Sequence, residues 1–159
     1  MPSILFVCTG NQYRSPIAAA YLRRLLKERG LAGWSVESAG TWAAPGQPLA
    51  SDAGRDAVSL GLDVRGHRTQ LVDKALLGRF DLILVMENGH REALRIEFPE
   101  ARDRVFLLSE MLEGPQFDIA DPVRLPDGHY HVLHDMCDVI ERGLPRILEL
   151  AVTPAGGRA

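Results

Sequence analysis

An α/β fold built on a parallel sheet is the class that this sequence predicts, and three observations carry it. Short apolar runs, "SILFV" at 3–7, "FDLILVM" at 80–86 and "RVFLL" at 104–108, alternate with segments of helical periodicity. The runs are apolar on both faces, as strands covered from both sides must be. The order strand, helix, strand repeats, which right-handed crossovers between parallel strands explain. With 159 residues the chain is long enough to bury one core without staples.

Each element follows in order. Residues 3–7 form a buried strand. Residues 16–29 form a helix, with Pro16 in its first turn, Ile17, Tyr21, Leu22, Leu25 and Leu26 on one face, and Gly30 as its stop. Trp34 to Ser38 alternates and runs into Ala39-Gly40, the pattern of a second strand. "TWAAPGQPLA", 41–50, is a loop by its prolines and glycine. Ser51 or Asp52 caps a helix that Gly61 ends. "DVRGHRTQ", 63–70, is a connector, and 71–78 a short helix. Residues 80–86 and 104–108 are strands, with a helix over 88–98 between them that stops before Pro99. Residues 109–127 read as irregular. Residues 128–152 read as mostly helical, kinked where Pro145 removes a backbone hydrogen bond. The expected organisation is one domain over 1–152 and a flexible tail over 153–159.

Bulk properties exclude several function classes. Apolar content of 46% and charged content of 25% suit a soluble globular protein. A net charge of -3 gives no general attraction to nucleic acid. The apolar runs are too short to span a bilayer, and no signal segment is expected ahead of so early a strand. Two distant cysteines make no disulfide framework, so a cytoplasmic setting is expected.

The chemistry concentrates in "CTGNQYRSP", 8–16. In a parallel sheet, ligands bind beyond the carboxyl ends of strands, which is where Cys8 falls. A loop from Cys8 to Ser15, between a strand and a helix N-terminus, can turn the backbone N–H groups of Thr9, Gly10, Asn11, Gln12 and Tyr13 inward as a nest for an anion. Gly10 permits a positive φ, and Asn11 tolerates one best among other residues. Arg14 can hold two anion oxygens at once. The same positive field favours a thiolate at Cys8, to which Ser15 can donate a hydrogen bond. Together these describe phosphoryl transfer through a cysteinyl-phosphate, with no metal required. The plainer reading, Cys8 as a small buried apolar residue, explains neither the Gly-Asn pair nor the Ser-Pro helix start. No G-K-[ST] ending follows, so the loop is not of the nucleotide-binding type.

The stretch "CTGNQYRSP" after an N-terminal strand resembles the low-molecular-weight protein tyrosine phosphatases. "SAG" at 38–40, "DLILVME" at 81–87 and "DP" at 121–122 fall in that family's order and spacing, from residue 3 to about 150. The resemblance implies a four-stranded parallel sheet of order 2-1-3-4, with helices on both faces and the phosphate loop after strand 1. It implies Cys8 as nucleophile, Arg14 as phosphate clamp and Asp121 as general acid. It implies a polar network of Asn11, Ser15, Ser38 and His67 that holds the loop in shape. It also implies a phosphorylated protein as substrate, a bacterial tyrosine kinase among the partners, inorganic phosphate as product, and no cofactor. Physically, Pro122 keeps Asp121 out of the α region, on an extended segment where its carboxyl can protonate a phenolate leaving group. By itself, Asp-Pro fits a simple turn equally well. Asp118 and Asp127 are then the alternative acids.

The sequence also departs from the family. Tyr13 stands where a second loop cysteine is frequent, and Val123 where an aromatic residue often walls the cleft. Gln12 is neither the aliphatic residue frequent in tyrosine phosphatases nor the small hydroxylated one of the related protein-arginine phosphatases. Trp42 is the candidate for the missing aromatic wall, the alternative being a packing anchor. Phosphoarginine therefore remains an alternative substrate. A thioredoxin-coupled arsenate reductase would need relay cysteines after the third strand, where "MENGHREALRIEF", 86–98, has none. A phosphate-binding module without catalysis would keep the cradle but not the pairing of Cys8 with Asp121. Of His129, His131 and His134 only the last two share a helix face, and no Cys or carboxylate sits at ligand spacing, so no metal is expected. His90 resembles the matching stretch of bacterial phosphatases that oppose polysaccharide-export kinases. Cys137 reads as core.

Overall fold

Alternation along Ser3–Cys8 (β1) divides the core in two. Ile4, Phe6 and Cys8 face one layer, Leu5 and Val7 the other, and Ile4 to Val7 are all 0% exposed. Each such side chain contributes about 1.5–3 kcal/mol by leaving water. The computed structural model of the chain describes residues 1–125 and 129–154.

After β1 the order is α1 (Arg14–Glu28), β2 (Ser35–Gly40), α2 (Ser51–Ser59), α3 (Lys74–Leu77), β3 (Leu82–Val85), α4 (Asn88–Glu97), β4 (Val105–Leu107), α5 (His129–Arg142) and α6 (Leu144–Val152). The strands form one parallel sheet of order β2-β1-β3-β4. Leu82, Leu84 and Met86 join α1, α5 and α6 on one face, while Ile83 and Val85 join α3 and α4 on the other. Register pairs Cys8 with Gly40, Val7 with Val85, and Val85 with Leu107. The carboxyl ends of all four strands therefore share one edge. No helix among the described residues is long and apolar enough to cross a membrane.

Three details differ from the sequence expectation. The C-terminal helix is two helices, and the break falls at Gly143, not at a kink within one helix. A Cβ at Gly143 would lie 2.7 Å from Met111 Cβ, so glycine is required where the 108–111 turn packs against it. Pro145 then occupies the first turn of α6, where its missing N–H needs no partner. At α2 the cap is Ala50, not Ser51 or Asp52, because the Ala50 N–H is held by the Gln12 carbonyl at 3.1 Å. The irregular stretch after β4 contains single turns at Leu108–Met111 and Pro122–Arg124. Asp127 and most of the expected tail lie outside the described residues.

Candidate active site

The loop from Cys8 to Arg14 is shaped by its neighbours' backbones. Thr41 N–H donates to the Cys8 carbonyl and Trp42 N–H to the Thr9 carbonyl, both at 2.9 Å. Gly40 lets β2 approach this closely: a Cβ there would stand 2.4 Å from the Thr9 carbonyl oxygen and 3.1 Å from Asn11 N. The loop ends at Tyr13, which caps α1, and the first turn of α1 holds no acidic residue. An anion above the loop therefore meets a helix N-terminus whose own first turn carries no carboxylate.

Asn11 is buried at φ 57 and is the one described non-glycine residue at positive φ. Gly10 is not in that region, so the left-handed turn falls on Asn11 and not on Gly10. Side-chain bonds hold Asn11 there. Its Oδ1 accepts from Gln70 N–H at 2.9 Å, and its Nδ2 donates to Ser15 Oγ and Ser38 Oγ, each at 2.9 Å. Behind it, His67 Nε2 donates to the Asn11 carbonyl at 2.7 Å. Burial, more than any neighbour, pushes the His67 ring below its ordinary value, so it serves as a neutral donor. The four residues expected to form a supporting network are thus brought together.

Cys8, 2% exposed, places Sγ 3.0 Å from Ser15 Oγ. Ser15 Oγ accepts from Asn11 Nδ2, and its proton can go to Cys8 Sγ or to the Ala39 carbonyl at 3.4 Å. Arg14 is 2% exposed; it donates to the Ile119 carbonyl at 2.7 Å and lies 3.5 Å from Glu87 Oε2. Above it, Asp121 caps the turn Pro122–Arg124, and its Oδ1 accepts from Val123 N–H at 3.1 Å. Cys8, Thr9, Gly10, Gln12, Tyr13, Arg14 and Asp121 line one cleft of about 210 Å³, with Ala50 and Val123. A buried sulfur, a guanidinium and a carboxyl thus face one small space.

One expected residue stands differently. Trp42 is 86% exposed and does not line the cleft; its backbone N–H bonds the loop, but its ring walls nothing there. The aromatic residue that lines the cleft is Tyr13, whose hydroxyl donates to the buried Asp56 carboxylate of α2. Burial and that carboxylate push the Tyr13 phenol well above its ordinary value, so it stays neutral. Asp118 is occupied: its Oδ1 accepts from Asn88 N–H at 2.8 Å, at the start of α4. Cys137 is buried in α5, with its thiol pushed up to about 12 by burial. Among the described residues no His, Cys, Asp and Glu side chains form a group that could hold a metal.

Sequence reasoning missed Gln70, Glu87 and the place of His90. Gln70 acts partly through its backbone N–H, which leaves no mark on residue type. Glu87 had a signal: it follows the third strand and so falls at the same sheet edge as Cys8. His90, three residues further on at a helix start, lies 2.9 Å through Nε2 from Thr9 Oγ1.

A family model described as low molecular weight phosphotyrosine protein phosphatase matches residues 3–153. A protein-arginine-phosphatase of Geobacillus stearothermophilus is 36% identical over 137 residues, covering 86% of this chain and 89% of the relative. A probable low molecular weight protein-tyrosine-phosphatase, EpsP of Ralstonia nicotianae, is 38% identical over 152 residues, covering 93% and 97%. Among solved structures, the YwlE arginine phosphatase of G. stearothermophilus superposes with a TM-score of 0.81 at 33% identity, covering 94% of each chain. The tyrosine phosphatase Wzb of Escherichia coli K30, in complex with sulphate, superposes with a TM-score of 0.77 at 35% identity, covering 94% and 98%.

Proposed function

The chain belongs to the low molecular weight phosphotyrosine protein phosphatase family, and on that premise we propose that it removes phosphate from tyrosine through a cysteinyl-phosphate on Cys8. The observation that carries this is the contact of Cys8 Sγ with Ser15 Oγ at the base of a cleft shared with Arg14 and Asp121. The Cys8 sulfur attacks phosphorus, the S–P bond forms and the P–O bond to the phenol breaks. The Asp121 carboxyl gives its proton to the departing oxygen. Water then attacks the phosphocysteine and gives its proton to the Asp121 carboxylate. The S–P bond breaks, leaving inorganic phosphate and a thiolate that the Ser15 hydroxyl stabilises.

Arg14 and the loop N–H groups hold the non-bridging oxygens where negative charge accumulates. The positive charge comes from the chain itself, so the reading invokes no cofactor. Tyr13, Ala50 and Val123 give the leaving group an apolar wall. The substrates are phosphorylated proteins of the cytoplasm, with a tyrosine kinase as one partner.

Phosphoarginine is the second reading. Arginine phosphatases stand among the relatives, and the residue after Asp-Pro, Val123, is 72% exposed and not aromatic. Turnover of matched phosphotyrosine and phosphoarginine peptides, with Cys8→Ser as control, tests both. The first reading expects preference for phosphotyrosine, and no turnover but retained vanadate binding in Cys8→Ser. Preference for phosphoarginine would establish the second reading, and substantial turnover by Cys8→Ser would overturn both.

A further inference from the structure

His90 is a buried titratable group, 7% exposed, that the mechanism above does not use. It lies in the first turn of α4, and its two ring nitrogens have different partners. Nδ1 accepts from the Glu87 N–H at 3.1 Å. A neutral ring that accepts at Nδ1 carries its proton on Nε2. That Nε2–H lies 2.9 Å from Thr9 Oγ1 and 3.4 Å from Glu87 Oε2. Thr9 follows Cys8 in the loop and lines the cleft. Once its oxygen accepts from His90, the hydroxyl's own proton is left to donate.

We propose that His90 is a positioning residue for the phosphatase reaction: its ring, anchored through Nδ1 by the Glu87 N–H, fixes the Thr9 hydroxyl as a donor at the cleft wall. The proposal rests on the phosphatase reading and assigns that site a second, non-adjacent support. The bond joins the loop after β1 to the start of α4, elements 81 positions apart in sequence.

The charged groups that face the ring decide when it is neutral. Burial and the Arg14 guanidinium of α1 disfavour imidazolium; Glu87 at the head of α4, and Asp118 and Asp121 from the segment after β4, favour it. The balance holds the ring below its ordinary value. Protonation gives both nitrogens a hydrogen. The Glu87 N–H then loses its acceptor, and a cation appears beside Arg14. Glu87 Oε2, 3.5 Å from Arg14 and 3.4 Å from His90, is then shared between two cations. A pure helix cap would stabilise α4 without touching catalysis, so the two roles separate by kinetics.

The test uses kcat/KM for p-nitrophenyl phosphate as a function of pH, in wild type, His90→Asn, Thr9→Val, the double variant and Thr9→Ser. Asn keeps an acceptor for the Glu87 N–H but is too short to reach Thr9. His90→Asn and Thr9→Val should each lose roughly three- to tenfold, the value of one hydrogen bond. The double variant should lose no more than the worse single one, and Thr9→Ser should restore most of what Thr9→Val loses. With the substrate's own phosphate ionisation divided out, wild type should show one acid-side protonation step more than His90→Asn. Ring nitrogen NMR of the wild type at neutral pH should show the Nε2–H tautomer. Losses that multiply, no loss at all, or an Nδ1–H ring would overturn the proposal. Wild-type turnover, and its loss in Cys8→Ser, tests the phosphatase reading separately.

Discussion

Arg14 donates to the Ile119 carbonyl at 2.7 Å, so the guanidinium that faces the cleft also holds the segment that carries Asp121. One side chain thus links the loop after β1 to the opposite rim. Lysine has a single charged point and no planar fork, so it cannot serve two anion oxygens and a carbonyl together. Arg14→Lys should lower kcat/KM on aryl phosphates by about 10²–10³-fold. Steady-state kinetics check this, and a loss under about tenfold would show that the fork is not needed.

Asn11 should matter through both its bonds and its backbone. Asn11→Ala removes the bonds to Ser15 and Ser38 and leaves the Gln70 N–H without its acceptor. It also asks a Cβ-bearing residue without local hydrogen bonding to hold φ 57. Unfolding in urea should show a loss of about 2–4 kcal/mol. Asn11→Gly loses the same bonds without the strain and should be about 1 kcal/mol milder. Equal stability of the two variants would remove backbone strain from the account.

Much of this was legible in the sequence, for definite reasons. The strands read at 3–7 and 80–86 announced themselves because parallel-sheet burial demands apolar residues on both faces. The Cys8-to-Ser15 loop was legible because an anion cradle needs unusual residue types at fixed spacing. The break at Gly143 was not, because the cause is Met111, distant in sequence, pressing on a residue whose glycine looked incidental. The outward position of Trp42 was equally hidden, since residue type carries no direction. The Thr9–His90 bond required knowing that the ends of β1 and β3 lie side by side.

Stability should fall on mild acidification. An unfolded histidine titrates near 6.5, and folding pushes both His67 and His90 below that value. Above 6.5 both states are neutral at these rings, and the contribution is constant. As pH drops from 6.5 towards the folded values, the unfolded chain takes up protons that the folded one refuses, so unfolding becomes easier. Below the folded values the loss levels off. Urea midpoints against pH, in wild type and in His67→Asn, measure this; a profile unchanged by that substitution would contradict it.

Asp121→Asn should slow phosphorylation of the enzyme by about 10²–10⁴-fold for phenyl phosphate, whose leaving oxygen is strongly basic. An aryl phosphate with a weakly basic leaving group should lose clearly less. The step must be followed as a pre-steady-state burst, because hydrolysis of the phosphocysteine can limit turnover. Equal losses across a leaving-group series would make Asp121 a turn residue that caps Val123 and nothing more.

The mechanism rests most heavily on the Cys8 sulfur as nucleophile, and rapid alkaline quenching, which preserves an S–P bond that acid would hydrolyse, tests it directly. Enzyme mixed with an aryl phosphate and quenched during the burst should carry one phosphoryl group on the Cys8 sulfur, located by peptide mass spectrometry. Its amount should match the phenol released in the burst. Phosphate found on another residue, or a full burst of phenol with no phosphoryl group on Cys8, would contradict the cysteinyl-phosphate mechanism.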